Sequence, residues 1–274
     1  MLSSEIINKN LDPSIGLLSV IVLKSTDSTN NEAKRFIDIS DDVKFRTVFF
    51  AEEQTSGRGR QGKDFASPPG DSLYASFILR SLPDANDSVL ITVAASVAVA
   101  RAVKKIGVDN NEVLTPKVKW VNDIFLNGRK ICGILTEAVS DAKSGMIGYI
   151  VLGIGININV DPEDYPEGIR NLIGDIRIDP AHRNLFAATL INEVYAIQNE
   201  LAEYISKDLP EPAFMPEYRE MSSVLNKKID VIRGDDQIRA EAISINGRGE
   251  LTVKYETGET EVLNTGEVTI RSDN

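Results

Sequence analysis

Three cationic side chains lie among glycines in one short segment of the chain. Residues Ser56–Asp64 read SGRGRQGKD and contain Arg58, Arg60 and Lys63. Glycine lets backbone N–H groups approach an anion closely, and arginine pairs bidentately with phosphate or carboxylate. The alternative is a surface loop with solvated charges. On a chain whose formal net charge is -11, a local cationic cluster favours an anion-binding site.

The same segment fits two phosphate-binding patterns, and both fail for a structural reason. Its glycines match the dinucleotide fingerprint GxGxxG, and together with Lys63 they match most of the Walker A pattern. Both patterns seat phosphate on the N-terminus of a helix that starts at once. Here the chain continues as DFASPPGD, in which Pro68 and Pro69 leave little room for a helix. Asp64 stands where Walker A needs Ser or Thr, and its charge would repel phosphate.

A second group of charged residues flanks a predicted tight turn. Lys119–Asp123 reads KWVND, Lys130–Glu137 reads KICGILTE, and Asn127–Gly128 between them is a strong hairpin signal. We expect the hairpin to bring Asp123 and Lys130 toward one end of a sheet. A lysine between a carboxylate and a phosphate favours the otherwise repulsive encounter of two anions. The alternative is a surface Asp–Lys pair, which contributes little to stability.

Glycines occupy alternate positions of a predicted strand, where Gly153–Asn159 reads GIGININ. This spacing leaves one face of the strand without side chains, which suits a flat ligand lying on the sheet. The alternatives are close packing of a helix and a β-bulge. Elsewhere, the single histidine, His182, has no serine, aspartate or metal-ligand pattern around it, and the single cysteine, Cys132, is expected in the core.

The elements that position these residues do not alternate regularly between strand and helix. Thr29 and Glu32 have the spacing of a capping box, with Thr29 as the N-cap, and Gly107 is a plausible C-cap. Helical patterns lie at Ser28–Ile37, Asn86–Lys105 and Asn184–Tyr204. Strand patterns, with a turn at Ser140–Gly145, lie at Leu17–Leu23, Thr47–Ala51, Leu73–Leu79, Val118–Val121, Ile124–Leu126, Ile131–Val139 and Met146–Ile154.

The character of the sequence changes after Met221. Short β-rich runs separated by glycine-containing turns lie at Lys228–Arg233, Ile238–Ile245, Glu250–Tyr255, Thr260–Leu263 and Val268–Ile270. Such a series predicts a small β barrel. We therefore expect two domains, 1–221 and 222–274. Irregular alternation in the first favours an α+β fold with a mixed sheet over a doubly wound sheet.

Composition bounds the function classes. Of the 274 residues, 42% are hydrophobic and 26% charged, which is typical of a soluble globular protein. The negative net charge disfavours non-specific binding to nucleic acid or anionic membranes. We see no signal peptide, and the apolar stretch Val89–Val103 is too short and too charged to span a bilayer. The lone Cys132 fits a reducing compartment, so a cytoplasmic location is expected.

Five segments of this chain occur in the order found in biotin–protein ligases. The chain resembles that family at STN (Ser28–Asn30), QTSGRGRQG (Gln54–Gly62), KWVND (Lys119–Asp123), KICGIL (Lys130–Leu135) and GIGIN (Gly153–Asn157), and GEVTIR (Gly266–Arg271) resembles the end of the family's C-terminal domain. The resemblance implies a class II synthetase-like catalytic domain of the biotin–lipoate ligase type and a small SH3-like C-terminal β barrel.

The resemblance also implies the reaction. Biotin and ATP would form biotinyl-5'-AMP and pyrophosphate, and biotin would then pass to one lysine of a biotin carboxyl carrier protein domain in a biotin-dependent carboxylase. ATP brings Mg²⁺, whose ligands the sequence does not identify. Two rival functions remain, a lipoate or octanoate–protein ligase and a non-catalytic nucleotide-binding module. The oligomeric state, monomer or homodimer, also stays open.

Each matching residue takes a role from the resemblance. Catalysis would depend on Lys130 at the carboxylate and α-phosphate, Arg58 in the loop that closes over the adenylate, and Asp123 at the acceptor lysine. Thr29 serves either as cap and ligand contact or as cap alone. Implied in biotin binding are Ser28, Thr29, Asn30, Gln54, Gly57, Arg58, Lys130, Gly133, Leu135 and Gly153. Implied in ATP binding are Arg58, Arg60, Trp120, Asn122, Lys130, Asn157 and Arg271.

The sequence departs from the family pattern in a few positions. Val121 replaces the proline of KWPND, Gln61 and Lys63 stand where arginines are common, and Phe65 replaces a more common tryptophan. The lower loop charge predicts weaker retention of the adenylate. Some relatives carry an N-terminal DNA-binding domain. Only 27 residues precede Ser28 here, so we expect a ligase that binds no nucleic acid.

Overall fold

The protein folds around two β-sheets, seen in a computed structural model that describes residues 1–39, 45–70, 72–81, 88–109, 111–140 and 147–271. The helices of these residues are α1 (Ser4–Lys9), α2 (Thr29–Ile39), α3 (Ser88–Asp109), α4 (Arg183–Ser206) and α5 (Met215–Met221). The strands of the first sheet are β1 (Ser19–Leu23), β2 (Thr47–Ala51), β3 (Ser72–Arg80), β4 (Lys117–Lys119), β5 (Asp123–Leu126), β6 (Arg129–Ser140) and β7 (Ile147–Asn157).

The first sheet is mixed, with strand order β1-β2-β3-β7-β6-β5-β4. Only the β1–β2 pair is parallel, and the other neighbours pair antiparallel. Strands β4, β5, β6 and β7 are neighbours in sequence order and pair antiparallel, unlike strands joined by crossover helices. The predicted α+β fold with a mixed sheet is confirmed.

The two faces of this sheet are covered unequally. Helix α3 is apolar around most of its circumference and lies in the main core with α4, as a buried helix does. On the opposite face, the smaller α2 packs Ala33 and Ile37 against Phe49, Ile78 and Val151 of β2, β3 and β7. Helix α2 leaves the neighbouring part of β6 and β7 uncovered by helix, and this exposed floor becomes the cleft described below.

The second sheet is antiparallel, with order β11-β10-β9-β8-β12. Its strands are β8 (Lys228–Arg233), β9 (Asp236–Ile245), β10 (Leu251–Tyr255), β11 (Thr260–Leu263) and β12 (Glu267–Ile270), close to the predicted series. Inward-facing residues such as Ile229, Val231 and Val253 are fully or almost fully buried. The predicted division at Met221, where α5 ends, stays a prediction.

The N-terminus of α2 differs from the sequence prediction. The backbone N–H of Glu32 donates to the Ser28 carbonyl at 2.9 Å, so Ser28 and not Thr29 occupies the N-cap position. The predicted capping box is wrong because tertiary hydrogen bonds use the Thr29 hydroxyl instead, with Gln54 and Ser76 as partners. Both alternatives for Thr29 included the cap, so both are wrong in that part, and the ligand contact stays a prediction.

Two other boundaries differ as well. Helix α3 continues through Gly107 to Asp109, so Gly107 is not its C-cap. The glycine instead allows close packing, since an added Cβ there would lie 2.8 Å from Leu114 Cγ. Strand β4 stops at Lys119 rather than Val121, and the Trp120–Val121 peptide bond that follows is cis. The predicted helix start at Asn86, the turn at Ser140–Gly145 and the strand start at Met146 fall wholly or partly outside the described residues.

No helix in the described ranges combines the length and apolarity needed to cross a membrane.

Candidate active site

A cleft opens where the sheet floor beside α2 meets the cationic segment, and it has an empty volume of about 1030 Å³. That volume includes open solvent in front of the cleft. The predicted site residues that line it are Ser28, Thr29, Asn30, Gln54, Arg58, Arg60, Trp120, Asn122, Asp123, Lys130, Gly133, Leu135 and Gly153.

The segment Gly57–Phe65, which we call the lid, folds as a compact hairpin over the cleft. Its arms are joined by backbone hydrogen bonds from Gly59 N–H to the Lys63 carbonyl (2.7 Å) and from Phe65 N–H to the Gly57 carbonyl (2.9 Å). The crossing at Gly57 excludes any side chain, because an added Cβ would lie 2.3 Å from the Phe65 carbonyl oxygen. The glycines of the segment thus shape the lid, and its cations project from it.

The predicted bare face of the glycine strand is covered by two different groups. An added Cβ at Gly153 would lie 2.3 Å from Asn30 Oδ1, so helix α2 packs closely at this position. At Gly155 the corresponding contact is the Phe65 ring, 2.6 Å away, and the same ring approaches Gly133. The alternative of close helix packing therefore holds at Gly153, and the lid aromatic rests on the face left bare at Gly155. A flat ligand would have to share this surface with the Phe65 ring.

Buried polar side chains form a hydrogen-bonded network at the α2 end of the floor. Gln54 Oε1 accepts from the Thr29 backbone N–H at 2.9 Å and from the Thr29 hydroxyl at 3.1 Å. The Ser76 hydroxyl lies 2.7 Å from Thr29 Oγ1 and 2.5 Å from Asn30 Oδ1. Each hydroxyl carries one proton, so the network can present a donor or an acceptor to a polar ring that enters the cleft.

The network also reaches the C-terminal arm of the lid. The Gln54 side-chain N–H donates to Ser67 Oγ at 3.0 Å, and the Ser67 hydroxyl donates to the Phe65 carbonyl at 2.9 Å. Gln54 therefore connects the floor to the backbone of the lid, in addition to lining the cleft.

The predicted Asp123–Lys130 juxtaposition is present. Strands β5 and β6 turn at Asn127–Gly128, which both have positive φ as a two-residue hairpin requires. Lys130 Nζ lies 2.7 Å from Asp123 Oδ1, and the lysine side chain is 35% exposed. The partly exposed ammonium of Lys130 faces the cleft, where an incoming anion can replace Asp123 as its partner.

Two lid cations reach across the cleft to other elements. Arg60 donates to Asn122 Oδ1 at 3.0 Å, and burial of the Arg60 guanidinium lowers its pKa, against the attraction of Asp123 and Glu267. Lys63 Nζ lies 2.6 Å from Glu267 Oε2 at the start of β12. The hydrogen bond from Lys63 lowers the pKa of the Glu267 carboxyl. The lid thus touches both sheets of the molecule.

Three predicted site residues do not line the cleft. Gly57 lies beneath the lid crossing. Asn157 donates to the Gly174 carbonyl at 3.0 Å and braces the chain behind β6, because its amide satisfies backbone groups there. Arg271 lies 3.8 Å from both Asp230 and Glu256 on the second sheet. The structure therefore gives no support for ATP contacts from Asn157 or Arg271.

The sequence prediction missed several residues in or beside the cleft, and the clearest is Glu137, which pairs with the lining residues Asn30 and Arg58. Its signal was available: on β6 the face that carries Gly133 and Leu135 also carries Glu137, because side chains alternate along a strand. Phe65 was noted only as a departure, and Ser76 was read only as part of a buried strand. Lys119 and Glu267 also line the cleft.

The described residues contain no group of three or more His, Cys, Asp or Glu side chains that could hold a metal ion. Asp123 and Glu267 are the cleft carboxylates nearest the cations, and each is already in an ion pair. The residues at hand therefore do not fit a preformed magnesium site. Burial raises the pKa of the Cys132 thiol, so this cysteine is not a nucleophile near neutral pH.

Known proteins resemble this chain over most of its length. The model of the biotin/lipoate A/B protein ligase family matches residues 22–157. The bifunctional ligase/repressor BirA of Escherichia coli is 30% identical over 263 residues, which cover 93% of this chain and 74% of BirA. A biotin--[acetyl-CoA-carboxylase] ligase of Mycobacterium tuberculosis is 28% identical over 81% of this chain and 77% of that ligase.

Solved structures show the same fold. The biotin protein ligase from Aquifex aeolicus in complex with biotin and ATP aligns over 93% of this chain and 99% of its own, with a TM-score of 0.71 and 23% sequence identity. A biotin protein ligase from Leishmania major in complex with biotinyl-5-AMP aligns over 89% of this chain and 98% of its own, with a TM-score of 0.55 and 23% identity. The five sequence segments that occur in the family's order, and the geometry of the cleft, agree with these matches. The chain belongs to the biotin/lipoate A/B protein ligase family.

Proposed function

We propose that the chain is a biotin–protein ligase, which activates biotin with ATP to biotinyl-5'-AMP and then transfers biotin to a lysine of a biotin carboxyl carrier protein domain. The observation that carries this proposal is the placement of Lys130 and the cationic lid around one cleft. The partly exposed ammonium of Lys130 lies on the floor, and Arg58 and Arg60 of the lid lie above it. These charges suit the meeting of a carboxylate with a polyphosphate.

In the first step, an oxygen of the biotin carboxylate attacks the α-phosphorus of ATP, and the bond to the pyrophosphate oxygen breaks. Lys130 offsets the repulsion between the two anions, and Arg58 and Arg60 stabilise the phosphate charge from above. No protein nucleophile is required, so rate acceleration comes from positioning and preorganised charge. Mg²⁺ arriving with ATP would supply charge neutralisation at the pyrophosphate. Because Asp123 and Glu267 are each paired with a lysine, and the described residues hold no group of three or more metal-ligating side chains, we assign no protein ligands to it.

In the second step, the neutral amine of the acceptor lysine attacks the acyl carbon of the mixed anhydride, and AMP leaves. Asp123, at the edge of the cleft beside Lys130, is the proposed acceptor or steering group for the ammonium proton. The lid, with Phe65 on the glycine floor, covers the anhydride and excludes water until the acceptor arrives.

The polar floor supports biotin over an apolar acyl substrate. Thr29, Gln54, Ser76 and Asn30 are concentrated at one end of the cleft and offer both donors and acceptors. A ureido ring has two N–H donors and a carbonyl, and it can satisfy such groups. A purely aliphatic chain offers these groups no donor or acceptor, so they would pair only with one another.

Exchange of labelled pyrophosphate into ATP tests the proposal. We expect exchange that depends on biotin and is absent with lipoate or octanoate. Mass analysis of a carrier domain incubated with ATP and biotin should then show one added biotinyl group. Exchange with lipoate and not with biotin would assign the protein to the rival lipoate or octanoate ligases. No exchange with any acid would indicate a non-catalytic nucleotide-binding module.

The remaining parts of the assignment rest on sequence properties. We propose a cytoplasmic enzyme, because the lone Cys132 fits a reducing compartment. The formal net charge of -11 disfavours a nucleic-acid partner. A homodimer and the identity of the acceptor carboxylase stay open. Sedimentation with and without biotin and ATP measures the oligomeric state directly.

A further inference from the structure

One carboxylate at the end of the cleft has contacts that its position on the sheet does not require. Glu137 lies on β6, opposite Val151 of β7, with its side chain 19% exposed on the face shared by α2 and the cleft. Glu137 is not among the residues proposed for biotin or ATP binding. A partly buried carboxylate is costly unless it is paired, so its partners indicate its role.

Two hydrogen-bond donors and one further cation converge on this carboxylate. Asn30 Nδ2 donates to Oε2 at 2.8 Å, and Lys34 Nζ lies 2.7 Å from Oε1. A lid arginine is the third partner: Arg58 NH1 lies 3.6 Å from Oε1 and donates to Asn31 Oδ1 at 3.2 Å. Glu137 is thus the point at which helix α2, the floor amide and the root of the lid meet.

Each contact constrains a group in the cleft. Because the Asn30 amide donates to Glu137, its Oδ1 must face Ser76 and the floor network. In the described residues, Glu137 is the acidic side chain that pairs with Arg58. A ligand that displaces the Asn30 side chain therefore also disturbs the Glu137 carboxylate, with which Arg58 pairs.

Resting on the proposed function, we infer that Glu137 is a positioning residue, which orients Asn30 at the floor and anchors Arg58 so that filling of the biotin pocket and closure of the lid are coupled. It touches neither reacting atom and acts only through these two side chains. Lys34 pairs with the same carboxylate from outside the cleft and does not contact the lid.

The substitution Glu137→Gln tests this role, because it keeps the shape and removes the charge. An amide has one acceptor oxygen, so it cannot accept from Asn30 on one side and from the cations on the other. We expect trypsin to cut within residues 58–63 of the ligand-free protein about two- to fivefold faster, because the lost contact is one half-exposed ion pair with Arg58. We also expect the KM for biotin to rise several-fold more than the KM for ATP. Lys34→Met is the matched control and should change neither quantity.

Three results would overturn the inference: equal effects of Glu137→Gln and Lys34→Met, an unchanged rate of lid cleavage, or faster cleavage with an unchanged KM for biotin. Should Glu137→Gln fail to fold, Glu137→Asp carries the same test. The shorter carboxylate recedes from Arg58, which at 3.6 Å is already the most distant of the three partners. The proteolysis needs no substrate, so it reports on Glu137 even if the wild-type protein shows no biotin-dependent exchange, which would instead end the proposed function.

Discussion

At the scale of the residue, the proposed catalysis depends on a lysine whose position is fixed by an ion pair and whose ammonium is still accessible from the cleft. Lys130 is paired with Asp123 at 2.7 Å, which fixes its position, yet its side chain is about one-third exposed to the cleft. An ammonium in such a place can leave the aspartate and pair with the developing negative charge between carboxylate and phosphate. It needs little reorganisation to do so, and this is the condition for electrostatic catalysis.

Replacing Lys130 by alanine should therefore slow adenylate formation far more than it disturbs the fold. We expect a loss of about 10²–10³-fold in the single-turnover rate, the size typical of one preorganised donor. Lys104→Ala, which removes a lysine paired with Glu217 away from the cleft, is the control and should keep the wild-type rate. A Lys130→Ala rate close to wild type would remove this residue from the mechanism.

A second residue-scale prediction concerns the floor. In Gly153→Ala the new methyl group would lie 2.3 Å from Asn30 Oδ1, so the Asn30 side chain must move away from its partners. We expect the affinity for biotin, measured by titration calorimetry, to fall at least tenfold, with a stability loss of about 1–3 kcal/mol from overpacking. The matched variant Gly168→Ala has open space around its new methyl group, and it should bind biotin normally. Normal binding by Gly153→Ala would show that Asn30 is not needed in this position.

Sequence reasoning succeeded for residues whose chemistry and turn signal coincide. The Asn127–Gly128 turn fixes the hairpin register, so the meeting of Asp123 and Lys130 could be predicted. Asn157 and Arg271 matched family segments, but their side chains are used by contacts behind the cleft and on the second sheet. Strand alternation places Glu137 on the face of Gly133 and Leu135, but its contacts with Asn30 and Lys34, more than one hundred residues earlier in the chain, cannot be read from sequence spacing.

At the scale of the element, the lid is a hairpin whose shape is set by its glycines. An added Cβ at Gly57 would lie 2.3 Å from a backbone carbonyl of the opposite arm and 2.5 Å from Ser67 Oγ. A backbone atom cannot turn aside as the end of a side chain can. Adenylate retention should therefore depend on Gly57 even though this residue lies outside the cleft.

The variant Gly57→Ala tests this dependence. We expect it to unfold near the wild-type temperature, since the lid adds little to the core, but to release biotinyl-5'-AMP faster and to be cut more readily by trypsin between residues 58 and 63. The dissociation rate of the adenylate is the direct measurement. An unchanged rate would mean that the lid hairpin is not what retains the intermediate, and Gly168→Ala again serves as the control.

The elements themselves were predicted well where hydrophobic periodicity was strong. Most strands of both sheets and helices α2, α3 and α4 lie close to the expected ranges. The boundaries failed where a tertiary contact overrides local preference. Thr29 bonds to Gln54 and Ser76 rather than capping α2, and Gly107 allows the chain after α3 to pack closely instead of ending the helix. Neither contact has a local sequence signal.

At the scale of the whole molecule, the two sheets meet at the cleft. Trp120, beside the lysine hairpin, donates to the Gly249 carbonyl of the second sheet at 2.9 Å, and Lys63 of the lid pairs with Glu267 of β12. The second sheet therefore supplies part of the wall of the site. Small movements between the sheets would change the lid as well as the floor.

This arrangement predicts an acid-sensitive stability. Burial alone would raise the pKa of the Glu137 carboxyl, but hydrogen bonds from Lys34 and Asn30 outweigh it and lower the pKa, as Lys63 does for Glu267. With folded pKa values below the ordinary 4.5, both carboxylates stabilise the fold above that pH, and the stabilisation is lost as pH falls through the folded pKa. In urea unfolding, the Glu137→Gln/Glu267→Gln double variant should lose less stability on acidification than wild type. Equal losses would contradict this assignment.

The central claim is that one lysine and one cationic lid hold two mutually repelling anions at attacking distance. A crystal structure with biotinyl-5'-AMP bound tests it most directly. We predict the Lys130 ammonium and the arginines of the lid within hydrogen-bonding distance of the acyl phosphate, with the ureido ring on the Thr29–Gln54 end of the floor. Density for the adenylate elsewhere, or with Lys130 still paired to Asp123 and the lid turned away from the phosphate, would contradict it.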